Sequence, residues 1–101
     1  MTLQEIYEVV HSAFYRVVRD IQPVPIEYFF NLKIEETWPP GGSPSGWPDF
    51  WWESVAVEIQ NAVMARREYI LDFNAKWLKD NKTKTWNELV DYISRKLVPL
   101  F

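Results

Sequence analysis

Between Trp38 and Pro48 the chain reads Trp-Pro-Pro-Gly-Gly-Ser-Pro-Ser-Gly-Trp-Pro, which takes four of the seven prolines and all three glycines. No regular element runs through such a segment. Proline lacks the amide that a helix or strand ladder needs, and glycine loses the most backbone freedom on being fixed. The segment is a loop, and the residues on either side must build their elements separately. It is too short to join two domains. A chain of 101 residues buries one core, so residues 1–101 are read as a single domain.

On the N-terminal side, Leu3, Ile6, Val10, Phe14, Val17 and Ile21 fall at the three-and-four spacing of one helix face. Thr2-Leu3-Gln4-Glu5 is a capping box, in which the Thr2 hydroxyl accepts from the Glu5 amide and Glu5 reaches back. Pro23 stops the helix, so the spacing predicts a helix over 2–21. At the other end, Thr85-Trp86-Asn87-Glu88 repeats the capping pattern. Trp86, Leu89, Val90, Ile93 and Leu97 share a face, and Pro99 closes the element, giving a second helix over 85–98.

Residues 25–37 change period. Ile26, Tyr28, Phe30, Leu32 and Ile34 alternate with Glu27, Phe29, Asn31, Lys33 and Glu35, the pattern of a half-buried strand. Residues 49–80 fit both templates. Val55, Ile59, Ala62, Val63, Ile70, Phe73 and Trp77 match a helix, whereas Val55, Val57 and Ile59, then Tyr69, Leu71, Phe73, Ala75 and Trp77, match strands. A lone strand leaves its amides and carbonyls without partners, which favours two further strands near 51–60 and 66–77. The turn near Asn61 lacks the glycine that a tight hairpin uses. The resulting expectation is an α+β domain: a three-stranded antiparallel meander with two helices on one face, in the order α-β-β-β-α. The alternative is α-β-β-α-α, with a helix from about 61 to 80. Double-stranded-RNA-binding domains share the first order but open their last helix on a basic cluster, which Thr85-Trp86-Asn87-Glu88 does not supply. No family resemblance is assigned.

With no cysteine, disulfides, thiolate metal sites and cysteine nucleophiles are excluded, and a reducing compartment fits. The N-terminus shows no basic region followed by an apolar stretch, and no apolar run approaches a membrane span. The expected location is the cytoplasm. The net charge of −3 is uneven: residues 1–60 carry three Lys/Arg and nine Asp/Glu, while residues 61–101 carry eight and five. An acidic N-terminal portion suits a partner with a basic surface.

The residues able to carry chemistry are few. His11 is the one histidine, with Glu8 and Tyr15 within a helical turn, but no nucleophile accompanies it. Carboxylates adjoin at Glu35-Glu36 and at Asp49/Glu53. The first two point to opposite faces of a strand, and both sets read as solvated acids rather than a cation site. Gly41-Gly42 lies among prolines with no helix and lysine behind it, so it is not a phosphate cradle. No catalytic residue, metal or cofactor is assigned. Lys76, Lys79, Lys82 and Lys84, interleaved with Trp77 and Trp86, form a basic turn. It supports nucleic-acid binding as the alternative function.

Aromatic residues make up 17% of the chain, including six tryptophans. They enlarge a small core or mark a binding surface. On the strand reading, Trp51 and Trp52 point to opposite faces of the sheet, and Phe29 lies on the face away from the helices. The expected function is therefore a small non-catalytic protein-interaction module of the inhibitor, immunity-type, adaptor or small-chaperone kind. Its expected partner-binding residues are Phe29, Trp38, Trp47, Asp49, Trp51 and Glu53. Exposed sheet edges add a route to a homodimer.

Overall fold

The computed structural model describes residues 1–19, 21–37 and 47–100. Its elements run α1 (Leu3–Val17), α2 (Ile26–Phe29), a 3-10 turn (Ile34–Glu36), α3 (Asp49–Met64), β1 (Tyr69–Ile70), α4 (Ala75–Asp80), α5 (Trp86–Lys96) and β2 (Val98–Pro99). The molecule is mostly helical. Its sheet has two short antiparallel strands, with Tyr69 opposite Pro99 and Ile70 opposite Val98. This overturns the three-stranded α-β-β-β-α meander and its α-β-β-α-α alternative.

The two terminal helices start where their caps place them and end short of the expected 21 and 98, with Val98–Pro99 forming β2 instead of closing α5. The Thr2 hydroxyl accepts from the Glu5 amide at 3.2 Å, and the Glu5 carboxylate accepts from the Thr2 amide at 3.0 Å. α1 buries Ile6, Val10, Ala13 and Phe14. It ends at Val17, before Ile21 can join the stripe. α5 is capped by Thr85 and buries Trp86, Leu89, Val90 and Ile93.

The expected strand over 25–37 is absent. Pro25 fixes its own φ at −53°, and its carbonyl accepts from the amides of Tyr28 and Phe29, which starts the single turn of α2. Phe29, Phe30, Ile34 and Thr37 are buried, a three-and-four spacing that coexists in these residues with the alternation. The segment still needed backbone partners, and it finds them in the residues leading into α5. Ile34 N–H donates to the Lys84 carbonyl at 2.9 Å and Glu35 N–H to Lys82 at 3.0 Å. In return, Trp86 N–H donates to Leu32 at 3.2 Å and Asn87 N–H to Phe30 at 3.0 Å.

The strands expected near 51–60 and 66–77 are also corrected. α3 passes straight through Asn61, where a hairpin would have needed a turn. It ends at Met64, and Arg67 adopts φ 60°, the left-handed conformation that lets the chain reverse after a helix. Of the second strand, Tyr69–Ile70 remains. Asn74 then accepts from the Lys76 amide and opens α4.

α3 runs beside α1, which also packs against α5, and α4 lies against α3. The core between them is dense in aromatic rings. Trp47 stacks on Trp52 at 4.3 Å and lies 5.9 Å from Phe14. Phe14 meets Trp86 edge-on at 5.2 Å, and Trp86 stacks on Phe29 at 4.8 Å. Large rings give a short chain much buried surface per residue, and the tryptophans at 47, 52 and 86 serve that purpose here. Among the described residues, no helix is long and apolar enough to cross a membrane.

Candidate functional site

The six residues expected to bind a partner are not one surface. Phe29 is fully enclosed in the core; its place on an outer sheet face falls with the sheet. Trp47 is 6% exposed, and its carbonyl accepts from the Trp52 indole at 3.2 Å. Trp38 lies outside the described residues. The remaining three gather on the first turns of α3. Asp49 begins that helix with its side chain 85% exposed, 3.2 Å from the Lys79 ammonium. Trp51 is half-buried against the core and meets Trp47 edge-on at 5.9 Å, and Glu53 is exposed.

The helical form of α3 brings forward residues that the strand reading hid. Its inner face buries Trp52, Val55, Ala56, Ile59 and Val63. On the opposite side Phe50 is 64% exposed, Val57 52% and Met64 40%. These three recur every seventh position, with Ser54 and Asn61 between them, so the line Phe50-Ser54-Val57-Asn61-Met64 steps by four, three, four and three. That spacing keeps all five on one side of a helix. A helix facing water on one side usually carries polar residues there. α3 adds three exposed apolar side chains, Phe50, Val57 and Met64, among the polar Glu53, Ser54 and Asn61 of that side.

Shallow grooves run beside this line, toward α1. One is bordered by Arg16, Val17, Arg19, Phe50, Ser54 and Val57. Its continuation is bordered by Val9, Ser12, Asn61, Ala62 and Ala65. The ion pair Arg16–Glu58, 3.1 Å, lies between the two, and Arg66 pairs with Glu5 at the far end. The small side chains of Ser12, Ser54, Ala62 and Ala65 line the grooves together with the charged Glu8, Arg19 and Glu53. Ser54 Oγ donates to the Phe50 carbonyl at 2.7 Å, which satisfies its hydroxyl within the helix.

The other sequence candidates are placed as follows. His11 Nε2 bonds to the Val24 carbonyl at 2.7 Å, and the Val24 amide donates to the Tyr15 hydroxyl at 2.9 Å. The two side chains together hold the backbone of a residue flanked by Pro23 and Pro25, and the His11 ring packs on Phe29. Desolvation raises the Tyr15 pKa, partly opposed by the Val24 hydrogen bond. The Thr2 amide and hydroxyl, then Arg66, hold the Glu5 carboxyl below its ordinary range. Asp49 and Glu53 form no cation cluster, since among the described residues no group of three potential ligands converges. Around the basic turn, Trp86 is fully buried, and Trp77 stacks on Tyr92 at 4.7 Å.

A second concavity lies where α1, α2 and α5 meet, around Tyr7, Phe30, Asn31 and Asn87, with Asn87 Nδ2 donating to Asn31 Oδ1 at 3.2 Å. No protein-family model matches the chain, and no curated protein or solved structure matches it either.

Proposed function

We propose that this chain is a small non-catalytic protein-binding module that engages its partner through the outward face of α3. The observation that supports the reading is the exposed line of Phe50, Val57 and Met64 on a helix whose other side is already buried in the core. Apolar groups held in water gain about 1.5–3 kcal/mol each when fully enclosed. Three of them aligned along one helix are therefore a stronger signal than scattered surface leucines. Acidic Asp49 and Glu53 at the start of the same helix suit a partner that brings positive charge to that end. The absence of cysteine fits work in a reducing compartment, the cytoplasm.

The test compares tagged baits in source-cell extract supplemented with the untagged chain. Wild type should retain a protein in stoichiometric amount. Val57→Asp, which puts a charge in the middle of the line, should lose it. Tyr28→Ala alters an aromatic that is 65% exposed on α2, away from α3, and should keep it. Retention by Val57→Asp equal to wild type would reject this surface.

A further inference from the structure

We infer that the concavity where α1, α2 and α5 meet binds an amino-bearing nucleobase or its nucleoside, without phosphate, through the hydrogen-bonding edge of the base. The site is separate from the outer face of α3, since none of the residues that border it comes from that helix. Its volume is about 250 Å³, which suits a ligand somewhat smaller than a drug-sized molecule.

Part of the wall is aromatic and apolar. Phe30 is buried and Tyr7 half-buried, their rings meet edge-on at 4.5 Å, and Ile26 is half-buried. Such carbon surface suits a planar ring. The polar part is a pair of carboxamides. Asn87 Nδ2 donates to Asn31 Oδ1 at 3.2 Å, which leaves Asn31 Nδ2 as a donor and Asn87 Oδ1 as an acceptor, with no other hydrogen bond among the described residues. Turning both carboxamides over exchanges the roles and still leaves one donor and one acceptor. The backbone fixes both residues: the Asn87 N–H donates to the Phe30 carbonyl at 3.0 Å, and the Asn31 N–H to the Tyr28 carbonyl at 3.3 Å. A ligand therefore meets groups already held in place, which limits the ordering cost of binding.

These free groups select the ligand. A donor and an acceptor close together match a ring whose edge carries an acceptor beside an N–H. Nucleobases are built that way, and carboxamide side chains pair with such edges through two bonds. A plain hydrocarbon ring would strip water from the carboxamides and give nothing back. Glu27 is the one charged side chain among the residues that border the concavity, and among the described residues it is in no ion pair. Its carboxylate offers an acceptor to the exocyclic amino group of adenine or cytosine. The same charge opposes a phosphate, which makes the free nucleoside the better ligand.

The test is titration of isotope-labelled protein with adenosine, cytidine, uridine and their monophosphates, followed by NMR. Expected are saturable shifts of the Asn31 and Asn87 side-chain amide signals with adenosine or cytidine. Uridine, which lacks the amino group, should bind about tenfold more weakly than the better of the two, and each monophosphate more weakly than its nucleoside. Asn31→Ala and Asn87→Ala should each weaken binding about tenfold, and Glu27→Gln should bring the monophosphates level with the nucleosides. Val57→Asp, on α3, should change nothing. No saturable shift with adenosine or cytidine would overturn the inference, as would binding that survives in both asparagine variants. Uridine binding as tightly as the better of the other two would also overturn it, and that comparison uses wild type alone, so it decides even where a variant fails to fold.

Discussion

The Trp86 indole nitrogen donates to the Thr37 hydroxyl at 2.6 Å, both side chains being buried. The Thr37 hydroxyl donates in turn to the Lys33 carbonyl at 2.8 Å. This chain of bonds ties the 3-10 turn to the start of α5 and satisfies the polar groups of both side chains. Thr37→Val removes the acceptor and leaves a buried indole N–H unpaired, which costs about 1–3 kcal/mol. Thr37→Ser keeps the hydroxyl and should cost clearly less. Urea unfolding midpoints of the two variants check the order.

Trp47 and Phe50 are separated by three positions and behave oppositely. Trp47 fills the core between Phe14 and Trp52, so Trp47→Ala should destabilise by about 3–5 kcal/mol, as large cavities do. Phe50 is exposed, and Phe50→Ala should stay within about 0.5 kcal/mol in the isolated chain. Thermal melts at low protein concentration, where association is negligible, distinguish the two.

Tyr15 makes the fold sensitive to alkali. Burial raises its pKa in the folded state above the unfolded value. The folded chain therefore holds this proton after the unfolded chain has lost it, and stability falls as pH rises past the ordinary tyrosine value of about 10. Tyr15→Phe loses the acceptor for the Val24 amide and is less stable at neutral pH, but it lacks this titration. The gap between wild type and Tyr15→Phe should narrow as pH rises through that range, measured by chemical denaturation.

Glu5 acts at the other end of the scale. Its folded pKa lies below the unfolded value because the Thr2 amide and hydroxyl, and then Arg66, favour the carboxylate. The stabilisation is present above the ordinary carboxylate range and fades as pH falls through it. Glu5→Gln should be less stable than wild type near neutrality, with the difference shrinking in acid. Paired melts across that range report the sign.

The elements most legible in the sequence were those with a local cap. Thr2 and Glu5 fix one helix start through two reciprocal bonds, and Thr85 fixes the other by accepting from the Glu88 amide, so no distant residue is needed to decide either. The middle of the chain had no such marker. α3 is apolar on both sides, so its residues satisfied a two-residue and a helical period together. The choice then fell to an argument about strand partners. That argument was sound in requiring partners for residues 30–37 and misplaced them. They came from residues 82–87, whose backbone pairing leaves no trace in side-chain periodicity.

The candidate site inherited the same error. Asp49, Trp51 and Glu53 stand on α3, but Phe29 and Trp47 were assigned to a surface that exists only if the chain forms a sheet. The seven-residue recurrence of Phe50, Val57 and Met64 was present in the sequence. It becomes a face only once Asn61 is known to lie within a helix rather than at a turn.

The central claim is that the outer line of α3 is the surface through which this chain holds a protein partner. Capture from source-cell extract on tagged wild type and Val57→Asp, with folding of both checked by circular dichroism, tests it most directly. The account predicts a stoichiometric protein on wild type and its loss from a folded Val57→Asp. Equal retention by the two, or no protein retained by wild type, would contradict it.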